Sequence, residues 1–313
     1  MRLRALAFSL VGLASFPAVA AEIDVVASFS ILGDMVKAVG GERVAVTTIV
    51  GPDADSHIYE PKPSDAVAMT KADLVVLNGL GFEGWMDRLK EASGYTGPLT
   101  VASGGIAALD MEAGDHEEHD DHEDGHEEEH HHDGADPHAW QSLVNGVIYA
   151  RNIRDGLCKA DAEGCTAYTA NAEAYVAELT ALDQTVRSEI AAIPEAQRKV
   201  ITSHDAFGYF GDAYGVTFLS PEGMSTDSDP SAADVARLII QIKNEGVTAL
   251  FIENMSDARL LTQIASETGV APGGTLYADA LSSAGGPAAT YLDMFKHNAA
   301  LLTNAMAGRQ EGS

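Results

Sequence analysis

Positive charge is what this chain has least of. Its 313 residues include 19 lysines and arginines against 47 aspartates and glutamates, for a formal charge of −28. Nucleic acids and anionic membrane surfaces are gripped through basic patches that neutralise phosphate, so this balance argues against both as partners. Cations are the natural counterpart. Long apolar runs are also missing beyond residue 20: there is no uncharged apolar run of the roughly 18 residues that a membrane-spanning helix needs. GxSxG is absent, which removes the usual sequence mark of a serine hydrolase, and HExxH occurs only at His122 to His126 and His126 to His130, inside an acidic stretch that lacks the apolar pattern of a catalytic helix. Only two cysteines are present, Cys158 and Cys165.

The first twenty residues read as a secretory signal. Arg2 and Arg4 precede the apolar run from Ala5 to Ala14, and Ala18-Val19-Ala20 supplies the small-x-small cleavage pattern. The mature chain is expected to begin near Ala21, in the periplasm, with its charge taken from −28 to −30 by loss of the two arginines. No cysteine stands at the cleavage position, so no lipid anchor is expected there. In an exported protein Cys158 and Cys165 are expected to pair, and loop entropy gives so small a ring roughly 2.5 kcal/mol of stabilisation. The competing reading is a pair of thiolate metal ligands, which oxidation in that compartment would remove.

Strand and helix signals alternate along the mature chain. Strands are expected at Ile23 to Phe29, Val44 to Val50, Leu74 to Leu77 and Leu99 to Ala102. Helices are expected at Ile31 to Val39, at Ser64 to Ala72 with Ser64 as cap, and at Trp85 to Ala92. A further helix runs from about Ser142 to Leu157. From Thr166 to Ile193 there is no glycine or proline, and apolar residues recur at helical spacing, so one long helix is expected, stopped by Pro194. A second series follows, with strands at Val200 to Ser203, Val216 to Leu219, Leu250 to Ile252 and Thr275 to Ala278. Its helices are Ala232 to Asn244, Arg259 to Thr268 and Thr290 to Met306. The fold class is therefore α/β, with two lobes that are each a parallel sheet flanked by helices, joined by one long rigid helix. The corresponding units are 21–160, a linking helix at 161–195, and 196–313. Ligands of such sheets gather where strands end and loops begin.

One segment breaks the alternation. Residues 115–133, DHEEHDDHEDGHEEEHHHD, hold seven of the chain's eleven histidines and eleven carboxylates, with no apolar side chain to anchor them. Such a segment is either an acidic spacer or a metal-capturing loop. The concentration of imidazole favours capture, through His116, His119, His122, His126, His130, His131 and His132 as weaker sites.

Four histidines remain outside it. His297 lies among polar neighbours in the last helix and reads as a surface residue. His57 follows a strand in DADSHIYEP, His138 follows Asp136-Pro137, and His204 stands just past Val200 to Ser203. A lone histidine is more often a hydrogen-bonded structural residue than a ligand, but three in equivalent strand-end positions carry more weight.

In these pieces the chain resembles the zinc-binding periplasmic solute-binding proteins of metal ABC transporters, the cluster A-I or ZnuA-like family. The resemblance rests on His57-Ile58-Tyr59-Glu60-Pro61 with Pro63-Ser64-Asp65, Asp136-Pro137-His138-Ala139-Trp140, Ser203 to Phe210 (SHDAFGYF), and Ala278-Asp279-Ala280-Leu281 before Thr290-Tyr291-Leu292. Their order over nearly the whole mature chain is more specific than any one of them. The histidine-rich insertion ahead of Asp-Pro-His looks like the AztC type. The resemblance implies a metal held between the lobes by His57, His138, His204 and Asp279. Spacing alone leaves Asp205 and Glu253 open as the carboxylate. Manganese-binding members replace one histidine by a carboxylate, so His204 favours zinc. Three neutral imidazoles and one carboxylate suit tetrahedral Zn2+, whereas manganese and magnesium prefer more oxygen. Copper(II) stands higher in affinity, and availability decides that case.

The implied function is zinc capture in the periplasm and delivery to a cognate ABC permease by a monomer, with the loop or a zinc-delivering protein assisting. An extracytoplasmic zinc buffer and a zinc hydrolase are the alternatives. A cage of four protein ligands weighs against hydrolysis, since catalytic zinc keeps an open position for water.

Overall fold

Runs of valine, isoleucine and threonine alternating with helical periods build two parallel sheets in the computed structural model, which describes residues 23–110, 134–227, 230–247 and 249–309. The expected signal and the histidine-acid segment 115–133 lie outside the described residues. The first series is β1 (Ile23–Phe29), α1 (Ser30–Gly40), β2 (Val44–Val50), α2 (Pro63–Lys71), β3 (Leu74–Leu77), α3 (Met86–Ser93) and β4 (Leu99–Val101). Its sheet has the order β2-β1-β3-β4 with every pairing parallel. Val25 to Phe29 is buried without interruption, as expected of a central parallel strand covered on both faces.

Two helices follow, α4 (Leu143–Ala160) and α5 (Cys165–Ala191). Buried Tyr168, Ala172, Tyr175, Leu179, Val186 and Ile190 form one stripe along the 27 residues of α5, which at 1.5 Å per residue spans about 40 Å. That stripe packs on α1 and α4, and α5 also contacts the later helices α6 (Gly208–Tyr214) and α9 (Tyr291–Met306). The long helix thus touches both halves. Cys158 and Cys165 are disulfide-bonded and tie the last turn of α4 to the first residue of α5.

The second sheet contains β5 (Lys199–Ile201), β6 (Thr217–Leu219), β7 (Ala249–Glu253) and β8 (Pro272–Leu276), in the order β6-β5-β7-β8. Between them run α7 (Ala232–Glu245) and α8 (Ala258–Thr268), capped by Ser231 and Asp257 and ended by Gly246 and Gly269. Both sheets therefore repeat one strand order, and in each the direction of growth reverses after the second strand. A ligand crevice forms at such a reversal, outside the carboxyl ends of the strands.

Three local expectations need correction. Helix α2 begins at Pro63, with Lys62 as its cap residue. The Asp65 carboxylate accepts from the Lys62 N–H at 2.7 Å, so Ser64 sits inside the first turn rather than capping it. Helix α6 was not expected, because Gly-Tyr-Phe-Gly has little helical propensity; it is held by burial of Tyr209, Phe210 and Tyr214. Strand β8 starts at Pro272 rather than Thr275. Its Pro-Gly-Gly reads as a turn, but a Cβ on Gly273 would lie 2.4 Å from the Phe251 ring, so glycine lets that aromatic cover the strand.

The corner between α4 and α5 carries an acid-sensitive knot. Asp161 accepts from the Tyr168 hydroxyl at 2.7 Å and from the Arg43 Nη2 at 2.9 Å. The Tyr168 hydrogen bond, with burial opposing it and Arg43 adding to it, lowers the Asp161 pKa to about 2. A carboxyl that ionises more readily in the folded state contributes stability in full above its unfolded value near 3.8, and that contribution is lost as pH falls through about 2. Asp161→Asn is expected to flatten the loss of stability between about pH 4 and pH 2, measured as urea midpoints across that range, and to change little at neutral pH beyond the lost hydrogen bonds.

Candidate metal centre

Three of the four candidate ligands lie in loops past strands and His138 lies just before the turn Ala139–Gln141, and each is fixed from behind. His57 ends the loop that follows β2. Asp55 Oδ1 accepts from the His57 backbone N–H at 2.8 Å, and the buried Trp85 indole donates to the Ser56 carbonyl at 2.9 Å. His138 is completely buried. Asp136 Oδ1 meets both its backbone N–H at 2.9 Å and its Nδ1 at 2.8 Å, while Asn78 Nδ2 donates to the Pro137 carbonyl at 2.9 Å.

His204, just beyond β5, has Glu253 as its counterpart. One Glu253 oxygen accepts from the backbone N–H groups of Ser203 at 2.8 Å and His204 at 3.1 Å, and the other makes a short contact with His204 Nδ1. Asp279 follows β8. Its neighbour Ala278 offers a carbonyl that accepts from Trp140 Nε1 at 2.9 Å and Gln141 Nε2 at 2.8 Å.

A carboxylate at Nδ1 selects the tautomer whose proton is on that nitrogen, and so leaves the Nε2 lone pair free to face a cation. His138 and His204 both have that arrangement. Their Nε2 atoms converge with His57 and Asp279, one donor atom from each residue lying within 4.8 Å of the others. His57 Nε2 is 3.1 Å from Asp279 Oδ2 and 3.3 Å from His138 Nε2. His138 Nε2 is 3.7 Å from Asp279 Oδ1, and His204 Nε2 is 3.0 Å from Asp279 Oδ2. A tetrahedral ion with bonds of about 2.0 to 2.1 Å separates its donors by about 3.3 Å, close to all four separations. His204 Nε2 and Asp279 Oδ1 are fully buried without a hydrogen-bond partner. Orphaned acceptors at a carboxylate and an imidazole are what an ion would satisfy.

The electrostatics agree. Burial alone pushes the His204 pKa down, but Glu253 and Asp279 on either side outweigh it and hold it well above the ordinary histidine value. Burial raises the Asp279 pKa, yet His204, His138 and His57 around it hold the carboxyl well below its usual range. The pocket favours positive charge. Edge contacts from Phe82 to His57 and His138, and from Trp140 to His138, line its walls with rings.

The alternatives for the carboxylate separate cleanly. Glu253 stands behind His204, and Asp205 lies outside the converging cluster, its backbone N–H bound to the Gly223 carbonyl at 3.0 Å. His297 is half-buried, with Nε2 3.0 Å from the Thr275 carbonyl and its ring against Tyr277. Sequence reasoning missed Asp55, Asp136 and Glu253 as supports of the histidines. Asp55 and Asp136 carried a signal, each standing two residues before its histidine, and Glu253 carried none.

Two matching sheets that close a His3Asp metal-binding cluster between them define a receptor for a metal ion. The chain belongs to the family described as ZnuA, zinc-uptake complex component A, periplasmic, whose model matches residues 25–305. Members of this family are periplasmic metal-ion-binding proteins that serve ABC importers with a cognate permease, a role without catalysis. The chain is 36% identical over 276 residues to the manganese-binding lipoprotein MntA of Halalkalibacterium halodurans, covering 88% of this chain and 86% of that one. It is 31% identical over 275 residues to the iron-binding protein YfeA of Yersinia pestis, covering 88% and 83%. Among solved structures, the periplasmic zinc-binding protein TroA from Treponema pallidum superposes with a TM-score of 0.82 at 27% identity, covering 91% of this chain and 99% of that one.

Proposed function

We propose that this protein captures zinc through His57, His138, His204 and Asp279 and delivers it to its permease. The observation that supports zinc over the manganese and iron in the relatives' names is the donor set. Three imidazoles, two of them held by carboxylates in the tautomer that presents a lone pair, and one acid suit a four-coordinate borderline ion. Manganese and iron(II) lie lower in the affinity order for nitrogen ligands, and manganese takes more oxygen donors.

The histidine-acid segment 115–133 acts in this reading as a feeder. It intercepts zinc weakly and passes it to a cleft that needs less ordering of the chain to bind. A protein that hands zinc to this segment is the AztC-type form of the same idea. Removing 115–133 should leave one tight equivalent and slow loading from dilute zinc.

The reading is tested by metal content after purification and by competition titrations of zinc against manganese and iron(II). One tight zinc equivalent, displaced by neither competitor at equal concentration and weakening as pH falls because protons compete for imidazole, is the expected result. Retention of manganese in place of zinc would overturn it.

A further inference from the structure

Asp279 comes late in the chain, after β8, and Asn298 of α9 holds the Tyr277 backbone before it, yet the groups that grip Ala278 and Leu281 on either side of it come from the first half. Trp140 and Gln141, both buried, donate to the Ala278 carbonyl at 2.9 and 2.8 Å. Two residues beyond Asp279, the Leu281 N–H donates to the buried Ser30 Oγ at 3.0 Å, and the Leu281 carbonyl accepts from the Asp53 N–H at 2.9 Å. Tyr277, Ala278, Leu281 and Ala288 belong to the core that contains Phe29 and Trp140, a core that also takes in Val200, Ala249 and Phe251 from one face of the second sheet. Ile201 of β5 belongs with Leu238, Ile242, Leu250, Leu261 and Ile264 to a separate cluster beneath α7 and α8.

His204 is held differently. Its polar partners behind the ring are in the second sheet: Glu253, and the Thr202 hydroxyl, which donates to the His204 carbonyl at 3.1 Å. Two further contacts bind the rim of that sheet to the His57 loop. Asn254 Nδ2 donates to Asp53 Oδ1 at 3.0 Å, and Thr226 Oγ1 donates to Asp55 Oδ2 at 2.7 Å. The first is exposed and the second partly buried, so water can replace them at less cost than the buried bonds behind His204. The chain past His204 is anchored again at Gly208, where a Cβ would lie 2.5 Å from Asp136 Oδ2, and at Tyr209, whose hydroxyl donates to the Asp136 carbonyl at 3.0 Å. Residues 204–208 are thus a short span between two differently held bodies.

We propose that Trp140 and Gln141 are positioning residues that fix Asp279 to the first lobe, so that His57, His138 and Asp279 form a standing three-donor platform and the ion leaves when His204 withdraws with Glu253. The Asn254–Asp53 and Thr226–Asp55 contacts are the latch that opposes this withdrawal. The inference rests on the four-ligand reading above and adds which ligand moves. Its consequence is kinetic: buried bonds set the geometry of the site, and the two rim bonds set how long the ion stays.

Cobalt(II) is the probe, because its visible absorption reports coordination geometry, and the rate of release to excess chelator reports the latch. Wild-type protein should show the intense bands of a four-coordinate ion; weak bands there would sink the four-ligand reading itself and not this one. Gln141→Leu, which removes the donor at similar size, should shift or weaken those bands and lower cobalt affinity about tenfold. The pair Asn254→Ala with Thr226→Val should leave the bands unchanged and speed release about tenfold. An unchanged spectrum and affinity in folded Gln141→Leu, or an unchanged release rate in the latch variant, would overturn the proposal. Should Gln141→Leu fail to fold, the latch variant and the milder Ser30→Ala, read by the same bands and rates, decide it.

Discussion

Asp279→Ala or His138→Ala is expected to weaken zinc binding by about a hundredfold or more, read by competition against a chelating indicator. Structural zinc sites with four protein donors bind with roughly 10 to 16 kcal/mol, so one donor is worth about 3 kcal/mol, and each 1.4 kcal/mol is tenfold in affinity. The loss should exceed a simple share for Asp279, because it is the only anion in the cage and its carboxylate lies within 3.1 Å of both His57 Nε2 and His204 Nε2. Without it three imidazoles face a dication with no anionic ligand, and an incoming water takes the vacated corner. His297→Ala is the control, since that ring bonds the Thr275 carbonyl away from the cluster; zinc affinity should be unchanged. Thermal midpoints of the metal-free variants separate loss of the site from loss of the fold. Equal affinities for Asp279→Ala and the parent chain would remove Asp279 from the cage and with it the case for four protein ligands.

The parts of this molecule that were legible in the sequence are those where one local force dominates. β1 and β3 fall on the expected residues because central strands covered on both faces are continuous apolar runs, and the edge strand β2 does so because its valines, isoleucine and threonines favour a strand. Helix α5 was legible because nothing in it opposes a helix over 27 residues. The elements misjudged are those that tertiary contacts decide. Gly273 lies in a strand because Phe251 needs the space above it, and α6 is a helix because its aromatic residues are buried.

The same division holds at the site. His57, His138 and His204 stood out as histidines at strand ends, and family resemblance was needed to choose Asp279 over Asp205 and Glu253. The roles of those two acids depend on which side of His204 each occupies, and no spacing encodes that. Nor does chain order reveal that the loop carrying Asp279 is gripped by Trp140, Gln141 and Ser30, residues more than a hundred positions earlier.

Glu253 bears the heaviest burden of any residue that does not face the ion. It is 1% exposed, and its two oxygens take the Ser203 N–H, the His204 N–H and His204 Nδ1. Glu253→Leu would leave three buried donors without partners, each at about 1 to 3 kcal/mol, so the variant should be several kcal/mol less stable by urea denaturation. Glu253→Gln keeps the volume but offers one acceptor oxygen and turns an NH2 toward donors, so at least one of the three contacts becomes repulsive. Its zinc affinity is expected to fall between about 10- and 100-fold, the usual consequence of altering a group that orients a ligand histidine. Surface ion pairs set the scale for comparison: Glu245, 3.0 Å from Lys199 at the end of α7, should change stability little and affinity not at all when replaced by glutamine. If Glu253→Gln matched Glu245→Gln in zinc affinity, the imidazole of His204 would be oriented by packing alone, and the carboxylate behind it would serve only to satisfy the chain turning out of β5.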